Sequence, residues 1–460
     1  MDAIYPLART IIDTNYEKLP PDVVDMTKKQ ILDSLGVAVA GSSGVGINEL
    51  LEIVRDWGGK KESSIWVYGD KLPCITAAQV NATMIHALDF DDTHDVAILH
   101  PSAAVVPTGF AIAERLGGIN GKKLITAVAL GVDLVSRLCL ATTVPMAEHG
   151  WHFTALHGGF GAAAVAGKLL GLDEETLVNA FGIAYHQAGG NLLCIDDGAI
   201  TKRTGPGFSA RNGIMAALMA QKGITGAKNV LQGSYGLFNV YHRGNYNPEV
   251  LTANLGEKFE GINVSFKPYP CCRYNHSAID AVLAMVRQHN IEPNDVDSVT
   301  IYVSKGCWDL VCEPLDIKKN PRNIVDSQFS LPWSVATAIT RGKVGIANFT
   351  AQAIKDNVTL ALSNRVTPKL DESLRQKGIQ ASIVEIKTKG GEVYSKHAGI
   401  PYGSPKNPMI MEDLIEKFRE CVSYAAEPIP KSNVERGINL ILNLEKVDDI
   451  SQVTRLFTKE

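Results

Sequence analysis

Apolar residues recur at three- and four-residue spacing from Asp22 to Leu35, and the run enters the glycine-rich stretch GVAVAGSSG, Gly36 to Gly44. That period places the apolar side chains on one face of a helix. Pro101 to Leu116 (PSAAVVPTGFAIAERL) and Phe160 to Leu170 (FGAAAVAGKLL) are rich in Ala and Gly. Small residues let helix axes approach closely, so both segments predict buried helices in a packed bundle. Asp173 predicts the cap of a helix through TLVNAFGIAYHQAGG, with Glu174 and Glu175 facing the positive end of its dipole. No long strand pattern interrupts Pro20 to about Gly256.

The pattern changes near Val264. Ser298–Gly306 (SVTIYVSKG) and Ala381–Thr388 (ASIVEIKT) alternate and are rich in β-branched residues, the second leading into a turn at Gly390-Gly391. Helical patterns at Ser277–Arg287 and Leu331–Thr340 lie between them. After GIPYGSPKNP, Asn407 and Pro408 predict the cap and first residue of an amphipathic helix, Met409–Cys421. Ser432 to Phe457 again reads as helical. The expected fold is mainly α. A large all-helical domain is built from both chain ends (1–263 and 398–460), with a smaller α+β lid domain at 264–397.

Composition agrees with two domains, since 460 residues exceed what one hydrophobic core usually serves. With 45% hydrophobic and 20% charged residues and a net charge of −4, the chain is too acidic for a general nucleic-acid binder. The opening MDAIYPLARTIIDTNYEKLP lacks a signal-peptide core. The most apolar stretch, Leu124 to Val135, is about a dozen residues with Asp133 inside it, short of a membrane span. Eight scattered cysteines, none at zinc-finger spacing, read as reduced thiols. The expectation is a cytoplasmic protein with no membrane or nucleic-acid partner.

Four stretches concentrate titratable groups. In HALDFDDTHDVAILHPS, a helical reading puts His86, Asp89, Asp92 and Thr93 on one face, a suitable proton-transfer site. The same residues also suit a polar helix end with Asp caps, and His94, Asp95 and His100 a metal site without the usual ligand spacing. In HGWHFTALHGGFG, Gly150 and Gly158 suggest a loop entering a helix, with His149, His152 and His157 either at an N-terminus suited to a carboxylate ligand or satisfied within the core. In GAITKRTGPGFSARNG, Lys202 and Arg203 between glycine-rich turns can clamp a carboxylate or form a solvated pair. In FKPYPCCRYNHSAIDAVL, Lys267, Arg273 and His276 stand before a helix, and Cys272 lacks any thiol-protease signature.

Taken in order with GSPKNPM near the C-terminus, the runs DFDDT…HPS, GWH…GAAAVAGKLLGL, TK and KPYPCCRYNH resemble the MmgE/PrpD family across nearly the whole chain. That family includes 2-methylcitrate dehydratase, cis-aconitate decarboxylase and an iminodisuccinate epimerase. The resemblance implies a helical domain with a lid, a homodimer, and catalysis without metal or organic cofactor. It assigns catalytic positions to Asp89, Thr93, His100, His152 and Lys202, and substrate contacts to Arg273 and His276; the neighbouring cations Arg203 and Lys267 are further candidate substrate contacts. The implied reaction is a lyase step, dehydration or decarboxylation, on a citrate- or aconitate-like polycarboxylate. An epimerase of a small dicarboxylate is the second reading, and a non-catalytic polycarboxylate-binding protein the third.

Such chemistry suits these residue types. Taking a proton or CO2 from beside a carboxylate builds negative charge, which cations and donors stabilise where it develops. His100 and His152 are natural proton carriers near neutral pH. The chain departs from the family pattern at Gly205, where many relatives have His three residues beyond the Lys, and at Trp333, where Tyr is common. It also adds His94 and His157.

Overall fold

The helix expected at Asp22–Leu35 runs from Pro21 to Gly41 in the computed structural model, which describes residues 1–377 and 380–459. It continues through the glycine-rich stretch because Gly36 to Gly41 are all buried, and burial offsets the roughly 1 kcal/mol helix penalty of each Gly. Gly41 is required by packing: a Cβ there would stand 1.9 Å from the Met84 carbonyl oxygen of the helix Cys74–His86.

Two compact units make up the chain. The first comprises Met1–Leu192, Thr201–Val264 and Ile410–Glu460; the second comprises Leu193–Ile200 and Ser265–Met409. The second unit therefore takes in 193–200 and extends to Met409, past the 264–397 segment read from sequence.

In the first unit the helix Thr201–Gln221 packs against Phe153–Leu170, Cys74–His86 and Glu174–His186. Gly207 permits the tightest of these approaches, since a Cβ there would lie 2.3 Å from Thr83 Oγ1 and 2.7 Å from the Gln79 carbonyl. Ser102–Leu116 and Gly121–Ala141 complete the core. The latter corrects the reading of a short apolar stretch: its 21 residues are long and apolar enough to cross a membrane, yet its most apolar window is 94% buried in the protein. Asp133 and Arg137 pair within it at 2.8 Å. Asp173 caps its helix by accepting from the Thr176 N–H at 2.8 Å.

The second unit carries a four-stranded sheet ordered Val366–Leu370, Val296–Val303, Ser382–Thr388, Val393–Ala398. The first pair is parallel and the others antiparallel, with Val299 opposite both Val366 and Ile386. Buried Val299, Ile301 and Val303 alternate along the central strand, and His276–His289 and Leu331–Arg341 pack with the sheet. The two strands not read from sequence are its edges. One holds Pro368, tolerated only where an N–H has no neighbour to serve, and the other is mostly exposed.

Two terminal expectations are corrected. The amphipathic helix starts at Met411, with Asp413 accepting the Ile410 N–H at 2.8 Å, while Asn407 closes a turn with Ser404 and Gly403. Ser432–Phe457 is a helix Lys431–Leu442 followed by short helical turns, broken at Asn443 and again by the DD pair before Ile450.

Candidate active site

The helix Cys74–His86 ends at its histidine, and the next fifteen residues, 87–101, are irregular. His86, Asp89, Asp92 and Thr93 therefore do not share a helix face, contrary to the periodicity. Asp89 adopts φ +52°, a left-handed conformation that Asp tolerates better than most residues. The reversal folds the segment back so that its side chains converge from a loop. Thr93 secures that loop by donating to the Leu99 carbonyl at 3.3 Å.

His100 stands at the centre. Its Nδ1 lies 2.7 Å from the Asp92 carbonyl oxygen, and a carbonyl only accepts, so Nδ1 carries the hydrogen. That bond holds the ring in one orientation within the loop. Its backbone N–H donates to Thr154 Oγ1 at 3.0 Å. The His86 ring packs at 4.8 Å from the His100 ring and 5.8 Å from the His152 ring, centroid to centroid. Asp91 Oδ2 accepts from His86 Nδ1 at 2.8 Å and lies 3.6 Å from His100 Nδ1. Asp92 is fully buried; burial, then the charges of Asp33 and Asp91, push its carboxyl well up, against the Ser102 hydroxyl bonded to it at 2.5 Å.

Lys202 and Arg203 are not a solvated pair. The helix begins at Thr201, so both lie in its first turn, and both are buried. Lys202 Nζ donates to Asp89 Oδ1 across 113 residues of sequence. Burial pulls the Arg203 guanidinium down to about 10, with Asp89 opposing. His152, at the N-cap of Phe153–Leu170, is pushed well below the usual histidine range by burial, then by Lys202 and His86. Its uncharged form is therefore the favoured one. Gly205 faces it: a Cβ there would be 3.7 Å from His152 Nδ1.

His86, Asp89 and His100 bring three ligand-type atoms within 4.8 Å of one another, a grouping different from His94, Asp95 and His100. An ammonium already neutralises the carboxylate of this group, so a cation bound there would have to displace Lys202.

In the second unit, Arg273 donates to the Tyr402 carbonyl at 2.9 Å and Ser404 Oγ at 2.7 Å, and its Nη1 is 3.2 Å from His276 Nδ1. Lys267 and His276 are fully buried. Cys272 is buried, and the buried Trp333 indole N–H has no hydrogen-bond partner among the described residues.

The two added histidines differ. His157 belongs to the core: its Nε2 is 3.3 Å from His242 Nε2, the rings are stacked, and Cys139 Sγ is 3.3 Å from its Nδ1. His94 is buried in the loop, its Nδ1 accepting from the Ala97 N–H at 3.3 Å.

The residue-based expectations thus divide. Asp89, His100, His152, Lys202 and Arg203 gather in the first unit with Thr93 bracing their loop, while Lys267, Arg273 and His276 lie in the second. Asp91 and Ser102, not singled out from the sequence, also bond within this group, Asp91 to His86 and Ser102 to Asp92.

Residues 6–249 match the MmgE/PrpD N-terminal domain and residues 269–446 the MmgE/PrpD C-terminal domain. The chain is 28% identical over 467 residues to cis-aconitate decarboxylase of Aspergillus terreus (strain NIH 2624 / FGSC A1156), covering 96% of this chain and 92% of that protein. It is 28% identical over 448 residues to cis-aconitate decarboxylase of Homo sapiens, covering 94% and 90%. A cis-aconitate decarboxylase-like protein, oryM, of Aspergillus oryzae (strain ATCC 42149 / RIB 40) is 26% identical over 474 residues, covering 99% and 97%.

Proposed function

The chain belongs to the MmgE/PrpD family, and on that premise we propose that it is a lyase that removes CO2 or water from an aconitate- or citrate-like polycarboxylate. Relatives that bear the name cis-aconitate decarboxylase match it over nearly its full length, which favours decarboxylation.

One observation carries the reading at the level of chemistry. His100 is oriented by the Asp92 carbonyl within a cluster that also holds the buried Lys202–Asp89 pair and His152, whose uncharged form burial favours. In a decarboxylation, the bond from the carboxyl carbon to its neighbour breaks and CO2 leaves. Its electron pair enters the adjoining unsaturated carboxylate. Lys202 and Arg203 supply positive charge where that anion forms. A proton from water, relayed through His100 Nε2, then bonds to carbon. In a dehydration the same nitrogen takes a proton from the carbon beside a carboxylate and passes it to the departing hydroxide, which leaves as water. Asp89, Thr93, His100, His152 and Lys202 are proposed as the catalytic set, Arg203, Lys267, Arg273 and His276 as substrate contacts, and a homodimer as the assembly.

The test is a panel of di- and tricarboxylates, cis-aconitate included, followed by proton NMR in deuterated water. Loss of one carbon as CO2 with deuterium in the product, or new vinyl signals from elimination, is the expected result. Exchange of one hydrogen without net loss would make the enzyme an epimerase, and an unchanged panel would overturn the reading.

A further inference from the structure

Lys417 lies on the helix Met411–Val422, far in sequence from every residue of the proposed catalytic set, yet its side chain is only 5% exposed. It shares the buried face of that helix with Leu414, Phe418 and Cys421. Its ammonium donates to Asp33 Oδ1 at 2.7 Å and to the Phe90 carbonyl oxygen at 2.8 Å, and stands 3.9 Å from the centre of the Phe90 ring. Asp33, on the helix Pro21–Gly41, has a fully buried side chain.

Phe90 is the residue between Asp89, which pairs with Lys202, and Asp91, which accepts from His86. Its peptide lies in a stretch with no helical or sheet ladder, where a buried carbonyl needs a side-chain donor. We propose that Lys417 is a positioning residue for the reaction: by holding the Phe90 carbonyl it fixes where the Asp89 and Asp91 carboxylates stand, and through Asp91 the orientation of the His86 and His100 rings. Asp33 neutralises the ammonium that does this, so the C-terminal helix and the first long helix jointly brace the site loop. This rests on the lyase reading above.

The variants D33N and D33N/K417M separate the brace from the burial of charge, because both lack the Asp33 carboxylate and only the second lacks the donor to Phe90. Each is read by thermal unfolding, by kcat and KM on cis-aconitate, and by nitrogen NMR of the histidine rings, which reports tautomer and titration without any substrate. D33N is expected to keep kcat within about threefold of wild type and the His100 signals unchanged. Adding Lys417→Met is expected to lower kcat roughly 10- to 100-fold with KM little altered, and to shift the pH–rate profile and the His86 and His100 signals. Identical kinetics and histidine signals in the two variants overturn the proposal, as does a D33N variant that has already lost both. Should the double variant fail to fold, that last outcome for D33N still decides. If wild type turns over no polycarboxylate, the lyase reading fails while the histidine signals continue to test the brace.

Discussion

The Nδ1–H of His100 donates to the backbone carbonyl of Asp92 at 2.7 Å, a bond that sets the tautomer of the most exposed imidazole of the cluster from within its own loop. A backbone acceptor cannot be removed by side-chain substitution, so the ring itself is the place to test the arrangement. His100→Gln keeps a hydrogen-bonding side chain and loses proton transfer. Turnover is expected to fall roughly 100-fold or more with a smaller change in KM, measured by steady-state kinetics on the true substrate.

Lys202 and Asp89 are both about 3% exposed, so breaking their pair leaves a bare buried charge. Lys202→Met is expected to cost on the order of 3–5 kcal/mol in folding free energy, read by denaturant unfolding. The double variant D89N/K202M removes both charges and is expected to recover most of that stability while turnover stays low. Recovery of turnover along with stability would assign the pair a purely structural role.

Because Lys202 already compensates Asp89 within the His86–Asp89–His100 group, activity is expected to be indifferent to divalent metal. Exhaustive chelation followed by assay checks this. A loss of activity restored by one particular ion would show that a cation displaces the ammonium.

His157 and His242 give stability a definite pH dependence. Burial lowers His157 to about 3 and His242 to about 4, the first further lowered by His242 and the second by His149. Both lie below the unfolded value near 6.5, so the unfolded chain binds protons first as pH falls. The stabilising contribution is full above about pH 6.5 and is lost progressively toward pH 3–4. Each histidine is expected to remove about 1.5–2 kcal/mol of unfolding free energy between pH 6.5 and 5, which urea titrations at the two values measure. His152, lowered in the same direction, adds to the fall. A stability flat across that interval would mean that these rings are hydrated.

Local sequence determined the elements whose signals are contained in a few neighbouring residues. The cap at Asp173, the alternation along Val296–Val303 and the small-residue helices Ser102–Leu116 and Phe153–Leu170 follow from spacing and side-chain size. So did the family and most of the gathered residues, because the motifs survive as short runs. What lies between those runs was decided by tertiary structure. The HALDFDDT stretch carries a helical period, yet the left-handed Asp89 ends it, stabilised by a lysine 113 residues away that no local pattern can announce. The charge of His152 depends on burial and on Lys202, so its neutral state is a property of packing. Lys417 reads as an ordinary helix lysine until the fold buries its ammonium against Asp33 and Phe90, because the desolvation that makes such a contact consequential exists only once the chain is assembled.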